Sequence, residues 1–136
     1  MTRTLVLMRH AKSSWGDAGL DDHDRPLNAR GTRDAPRIGQ WLADQDLAPD
    51  VALCSSARRA RDTFDGLGLG ITATIIPDLY MASPTTHLKH IKTAERPCVL
   101  VVAHNPGIGA LAQRIVAASP DNPRFHDYPT AATLVV

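Results

Sequence analysis

The stretch CVLVVAHNPGIGALAQRIVA, residues 98–117, carries the pattern that decides the fold. Its first six residues are apolar without alternation, as in a strand covered on both faces at the centre of a parallel sheet. His104 ends that run. Asn105 and Pro106 follow as an N-cap and proline pair, and Ile108, Leu111, Ala112, Ile115 and Val116 then recur at helical spacing. A buried strand that feeds directly into an amphipathic helix is the building unit of an α/β sandwich.

Similar units lie to either side. Residues 4–8 (TLVLM) form a short strand-forming run ended by Arg9 and His10, and a polar loop follows to about Asn28. Between Thr32 and Asp44 the residues Ala35, Ile38, Trp41 and Leu42 mark the apolar face of a helix, so Trp41, like Met8, is expected in the core. Pro36 fits that helix only in its first turn or at a kink. Val51 to Cys54 is a second strand. Ser56 is the expected N-cap of the next helix, which places Arg58 and Arg59 in its opening turn. Residues 71–76 (ITATII) read as a third strand, Ser83-Pro84 starts a helix buried through Leu88 and Ile91, and a final apolar run spans 131–136. The alternation predicts one α/β domain over residues 1–136, a three-layer sandwich around a mostly parallel sheet.

Composition narrows the function. With 136 residues, 43% hydrophobic and 21% charged, the chain is of globular type. Fifteen basic residues against 14 acidic ones leave a formal charge of +1, so no broad field favours nucleic acid or a membrane surface, and neither is an expected partner. Any anion must be held by locally placed arginines. The apolar run Leu5–Met8 is too short for a signal peptide or a membrane span, and Cys54 and Cys98 read as buried free thiols. A reducing cytoplasm is the expected compartment. His87 and His90 share a helix face, but no cysteine or third ligand stands near them, so neither a metal nor another cofactor is expected.

The chemistry collects at three strand ends. They deliver Arg9-His10, then Ser55-Ser56 with Arg58, and His104-Asn105. In open α/β sheets, ligands bind beyond the carboxyl ends of the strands, so adjacent strands would bring two imidazoles and two guanidiniums into one crevice. Arginine binds phosphoryl oxygens through a planar, permanently charged fork. A neutral imidazole is a nucleophile near neutral pH. Arg59 and Arg61 read as solvated or paired on the helix face. Trp15 lies beyond the first strand end, where it would either line the crevice mouth or pack beneath it.

At these residues the sequence resembles the histidine phosphatase superfamily, and within it the small phosphohistidine phosphatase (SixA-like) branch. The matching segments are LVLMRHAKSSW (5–15), DRPLNARG (24–31), SSARRARDT (55–63) and VVAHNPGI (101–108), with Ala11 where the broad superfamily has glycine. The resemblance implies a minimal phosphoglycerate mutase-like fold without large insertions. It further implies a metal-independent phosphatase with His10 as the phosphorylated nucleophile. Arg9, Arg58 and His104 would form the catalytic phosphate pocket, and Arg25 would support substrate binding. The substrate it implies is a phosphohistidine on a signalling or phosphocarrier protein. A small phosphorylated metabolite, or a module that binds phosphoproteins without turnover, is the alternative.

The larger relatives carry an acidic proton donor on an insertion between the second motif and the second histidine, and the short stretch from Arg58 to His104 leaves little room for one. Its acids are Asp62, Asp65, Asp78 and Glu95, of which Asp78 is best placed. A labile P–N bond needs less help from an acid, which suits the branch. A dinucleotide fingerprint, Gly107-x-Gly109-x-x-Ala112 with Asp127 downstream, is also present. Too little chain follows for a second strand and helix pair, so the glycines read as helix packing.

Overall fold

A computed structural model gives the fold and describes residues 3–136. Its strands are β1 (Thr4–Arg9), β2 (Val51–Ser55), β3 (Thr74–Ile76), β4 (Cys98–Ala103) and β5 (Thr133–Val135), and its helices are α1 (Ala29–Asp44), α2 (Arg58–Leu67), α3 (Pro84–Ala94) and α4 (Gly107–Ile115). Short 3-10 turns occupy Asp22–Asp24 and Pro77–Leu79. The sheet runs β3-β2-β4-β1-β5, parallel except for β5, which pairs antiparallel with β1.

Both faces of the sheet are covered, which is why its central strands read as unbroken apolar runs. Leu5, Leu7, Val99 and Val101 face a layer that includes Ile91, Ile108 and Leu111 of α3 and α4. Their neighbours Val6, Met8, Leu100 and Val102 face Leu42, Ala60, Phe64 and Leu67 of α1 and α2. The predicted three-layer sandwich with a mostly parallel sheet is the architecture found. Because β4 lies between β1 and β2, the carboxyl ends of these three strands are adjacent.

The structure corrects several local expectations. Helix α1 starts at Ala29, earlier than Thr32, because the Asn28 side chain accepts from the Gly31 N–H. It runs through Pro36 rather than starting there. Its buried stripe is Gly31, Ala35, Gly39 and Leu42, and Trp41 is 41% exposed, outside the core. Two of those positions must be glycine: a Cβ at Gly31 would collide with the Lys12 carbonyl, and one at Gly39 with the Leu67 carbonyl. The hydrophobic pattern points to Trp41 because it counts apolar side chains, whereas the actual contact is backbone against helix.

Strand β3 covers only the second half of the 71–76 run, and it sits on the sheet edge. Ser83 caps α3 as predicted, accepting from the Thr86 N–H. Cys54 is buried and Cys98 only partly so, and both are free. Gly107 and Gly109 are close-approach positions in α4: a Cβ at the first would strike the Ala82 carbonyl, and one at the second would sit 2.6 Å from Asn105 Oδ1. Close approach to the loop before α3 and to the Asn105 side chain, and not packing against another helix, therefore accounts for the fingerprint-like spacing. Among the described residues no helix is long and apolar enough to cross a membrane.

Candidate active site

His10 follows directly on β1, and its backbone is held from two sides. Its N–H donates to the Ala103 carbonyl at 2.9 Å, and its own carbonyl accepts from the Ala131 N–H at 3.0 Å. The next residue is tied to α2, since the Ala11 N–H donates to Thr63 Oγ1 at 2.9 Å and that hydroxyl donates to the Arg59 carbonyl at 2.7 Å. On this fixed backbone the ring is 6% exposed and its Nδ1 lies 2.7 Å from the Ala11 carbonyl. A carbonyl can only accept, so Nδ1 carries the proton and the Nε2 lone pair is free. Burial, and then the charges of Arg59, Arg9 and Arg25, outweigh that hydrogen bond and hold the His10 pKa down to about 4. At neutral pH the ring is therefore uncharged and nucleophilic.

His104 ends β4 and stands beside it, with ring centroids 5.1 Å apart. Its Nε2 is 2.8 Å from Ser55 Oγ at the end of β2, and Ser55 Oγ also accepts from the Ala57 N–H at 3.2 Å. With that N–H on one lone pair, the serine proton is free to point at Nε2, which leaves the proton of the neutral ring on Nδ1. That nitrogen is buried and has no partner among the described residues. Burial, then the nearby His10, keeps the His104 pKa down to about 3.

The guanidinium that joins Arg9 in the crevice belongs to Arg59, and here the expectation for Arg58 is corrected. Arg58 lies on the outer face of α2 with its side chain 51% exposed, 3.6 Å from Asp62. Arg59 is 3% exposed and acts electrostatically on both His10 and His104. The cause is the cap. Ala57, not Ser56, holds the capping position, and its carbonyl accepts the first helical bonds from Ala60 and Arg61. Shifting the cap by one residue turns the face of the helix by about 100°, from one arginine to the next.

Arg59 is aimed by Asp22, a residue that sequence reading missed. Its Nη1 donates to the Asp22 carbonyl at 2.6 Å and its Nη2 to Asp22 Oδ2 at 2.9 Å. Tyr80 donates to the same Oδ2 at 2.5 Å, and Arg25 Nε donates to Oδ1 at 3.1 Å. The Tyr80 hydroxyl, then Arg59 and Arg25, hold the Asp22 carboxyl far below the usual carboxylate range, and the same bond pushes the Tyr80 phenol up. In sequence Asp22 is one of several acids in a loop, with nothing to single it out.

Arg25 is 7% exposed, but its hydrogen bonds go to the loop. Nη1 donates to Ser13 Oγ at 2.7 Å and to the Ser14 carbonyl at 3.0 Å, and the Trp15 ring stacks 3.5 Å from its guanidinium carbon. Trp15 itself is 73% exposed, a cover over Arg25 and not a buried prop. Asp78, the acid favoured from sequence, is 69% exposed and 3.5 Å from His90 Nε2. It is not among the charges acting on His10 or His104. His87 is fully buried and His90 Nε2 lies beside the Asp78 carboxylate, and among the described residues no group of three possible metal ligands forms.

Three guanidiniums thus act on His10, and one carboxylate, Asp22, touches two of them, Arg59 and Arg25. The Nε atoms of Arg9 and Arg59 are buried without a partner among the described residues, and Arg9 is lowered by burial and by the charge of Arg59. Like charges held this close are stabilised by an anion. Three donors beside a free imidazole lone pair could hold the oxygens of a tetrahedral anion while its central atom is attacked.

Comparison with known proteins gives the same direction. The model of the histidine phosphatase superfamily (branch 1) matches residues 5–80. The uncharacterized protein Rv1276c of Mycobacterium tuberculosis is 45% identical over 114 residues, which is 82% of this chain and 70% of that protein. Two solved structures carry the provisional name phosphohistidine phosphatase SixA. The one from Agrobacterium tumefaciens is 30% identical with a TM-score of 0.86, over 99% of this chain and 91% of its own. The one from Nakamurella multipartitia is 34% identical with a TM-score of 0.79, over 98% and 83%.

Proposed function

The chain belongs to the histidine phosphatase superfamily and is SixA-like, and on that premise we propose that it hydrolyses protein phosphohistidine through a phosphoryl group carried on His10 Nε2. The observation that carries this reading is the His10 ring itself: neutral, protonated on Nδ1 by its bond to Ala11, and faced by Arg9 and Arg59. In the first step Nε2 attacks phosphorus and the bond to the leaving group breaks. The two guanidiniums and the Nδ1–H of His104 carry the charge on the equatorial oxygens. In the second step water attacks the same phosphorus, the P–N bond breaks, and phosphate leaves with His10 restored.

A protein substrate is favoured over a metabolite by the shape of the rim. Pockets for small molecules bury most of the ligand. Here Trp15 is 73% exposed, the His23 side chain is 38% exposed, and only the Pro77–Leu79 turn and α3 lie between β3 and β4. A phosphoryl group mounted on another protein can reach such an open crevice. The free thiols Cys54 and Cys98 suit a reducing compartment, the cytoplasm in this reading.

The test is incubation with a histidine-phosphorylated carrier domain labelled on phosphorus, beside small phosphomonoesters. Transient label on His10, absent from His10→Ala, with faster release from the carrier supports the proposal. Faster release from the small esters assigns a metabolite phosphatase instead. Tight binding of the carrier without release of phosphate assigns a binding module.

A further inference from the structure

The crevice needs a proton donor for the leaving group, and most of its groups are unable to serve. Asp22 is ionised and engaged by Arg59, Arg25 and Tyr80. Tyr80 is made a weaker acid by its bond to Asp22, and the aliphatic hydroxyl of Ser55, held at His104, is weaker still. The arginines are too weak as acids. Asp78 lies at His90, and Asp62 lies beside Arg58 on the outer face of α2.

His23 remains. It sits on the Asp22–Asp24 turn, next in sequence to the carboxylate that aims Arg59. Its ring packs edge-on against Tyr80 at 4.9 Å, and Tyr80 in turn packs edge-on against His104 at 5.5 Å. Its Nε2 is 2.9 Å from Ser56 Oγ, one residue beyond the serine that holds His104. Its contacts with Tyr80 and Ser56 therefore fix this imidazole at the crevice rim, and its partial exposure lets it exchange protons with solvent. The charged and titratable groups around it are Asp24, 3.6 Å from Nδ1, Asp22 on the same turn, Tyr80, and Arg59 behind Asp22.

We propose that His23, poised by Ser56 and Tyr80 at the rim, is the general acid that protonates the leaving atom when His10 takes the phosphoryl group. The inference rests on the phosphatase reading above. As the P–O or P–N bond breaks, its electron pair takes the Nε2 proton of the His23 imidazolium, and His23 becomes neutral. In the second step the neutral ring accepts a proton from the attacking water. Phosphate departs, and both histidines return to their starting states. No other reactant is required.

The experiment compares wild type, His23→Ala and His23→Gln on p-nitrophenyl phosphate, whose leaving group needs no proton, and on phenyl phosphate, whose leaving group does. Loss of a general acid should lower kcat/KM for phenyl phosphate about a hundredfold and for p-nitrophenyl phosphate less than about threefold. A retained kcat/KM for p-nitrophenyl phosphate, which reports only the first step, shows that the variants are folded. Equal losses on both substrates, no loss on either, or a wild type unable to hydrolyse phenyl phosphate overturns the proposal. A His10→Ala variant with near wild-type turnover of p-nitrophenyl phosphate would instead overturn the phosphatase mechanism itself, so the two failures are separable.

Discussion

Arg59 holds Asp22 by two bonds, to its carbonyl at 2.6 Å and to its carboxylate at 2.9 Å, and so fixes the loop after β1 against the first turn of α2. The pair spans distant parts of the chain and aims the guanidinium of α2 that is buried beside His10. Much of the site's behaviour depends on this contact.

Replacing Arg59 with alanine should lower kcat/KM by about a hundredfold or more, the scale of losing one electrostatic donor to the transition state. Arg58→Ala, on the exposed face beside Asp62, should stay within about threefold of wild type. Steady-state kinetics on one substrate checks both. A larger loss in the Arg58 variant would return the pocket to the arrangement expected from sequence.

Asp22→Asn should loosen Arg59 and release Tyr80. The phenol is held up chiefly by its bond to the carboxylate, so its titration should move down toward the ordinary tyrosine value. Ultraviolet titration reads this directly, because burial pushes the only other tyrosine, Tyr128, well above the ordinary tyrosine range. An unchanged titration would mean that the carboxylate does not govern Tyr80.

Stability should fall on acidification below about pH 6.5. His10, His87 and His104 have native pKa values of about 4, about 4 and about 3, lowered first by burial from the ordinary histidine value of 6.5. Between the native and unfolded values the unfolded chain binds more protons, so stability rises with pH across this window. Above it these groups contribute no slope. Each histidine adds up to ~1.4 kcal/mol per pH unit. Urea midpoints measured from about pH 7 to about pH 4.5 test the sign.

For the same reason the acid limb of kcat/KM should lie well below an ordinary histidine. The ring must be neutral to attack, and its pKa in the free protein is held to about 4. Activity that halves near pH 6.5 would contradict the burial and charge argument.

Gly39→Ala should destabilise the fold by about 1–3 kcal/mol through overpacking, since the added methyl group meets the rigid Leu67 carbonyl. Thermal unfolding measures this. No loss would show that α1 and α2 can move apart freely.

How far the sequence was legible depended on whether side chains or backbone made the decisive contact. Residues 98–117 read almost as they fold, into β4 and α4, because burial on both faces leaves an unbroken apolar run and His104 interrupts it. His10 and His104 were legible for the same reason, as breaks at strand ends. Arg59 was not, because the cap falls on Ala57, whose side chain makes no capping bond. Trp41 misled because Gly31 and Gly39 carry the buried stripe through close backbone approach. Asp22 and His23 gained their places only when the loop folded against α2 and Tyr80, contacts between residues too far apart in the chain for local spacing to reveal.

The two consecutive hydroxyls where β2 gives way to α2 set a spacing that redesign would have to respect. Ser55 fixes one imidazole and Ser56 another, so inserting or deleting a single residue at this junction would put both rings out of register at once. The segment 16–21 is the opposite case. Its backbone N–H groups bond only at short range, Gly16 to Ser14 and Gly19 and Leu20 to Asp17 among the described residues, and its residues are exposed. Lengthening that segment is the natural route to a different range of phosphorylated partners, because it reshapes the approach to the nucleophile and leaves the spacing of the rings intact.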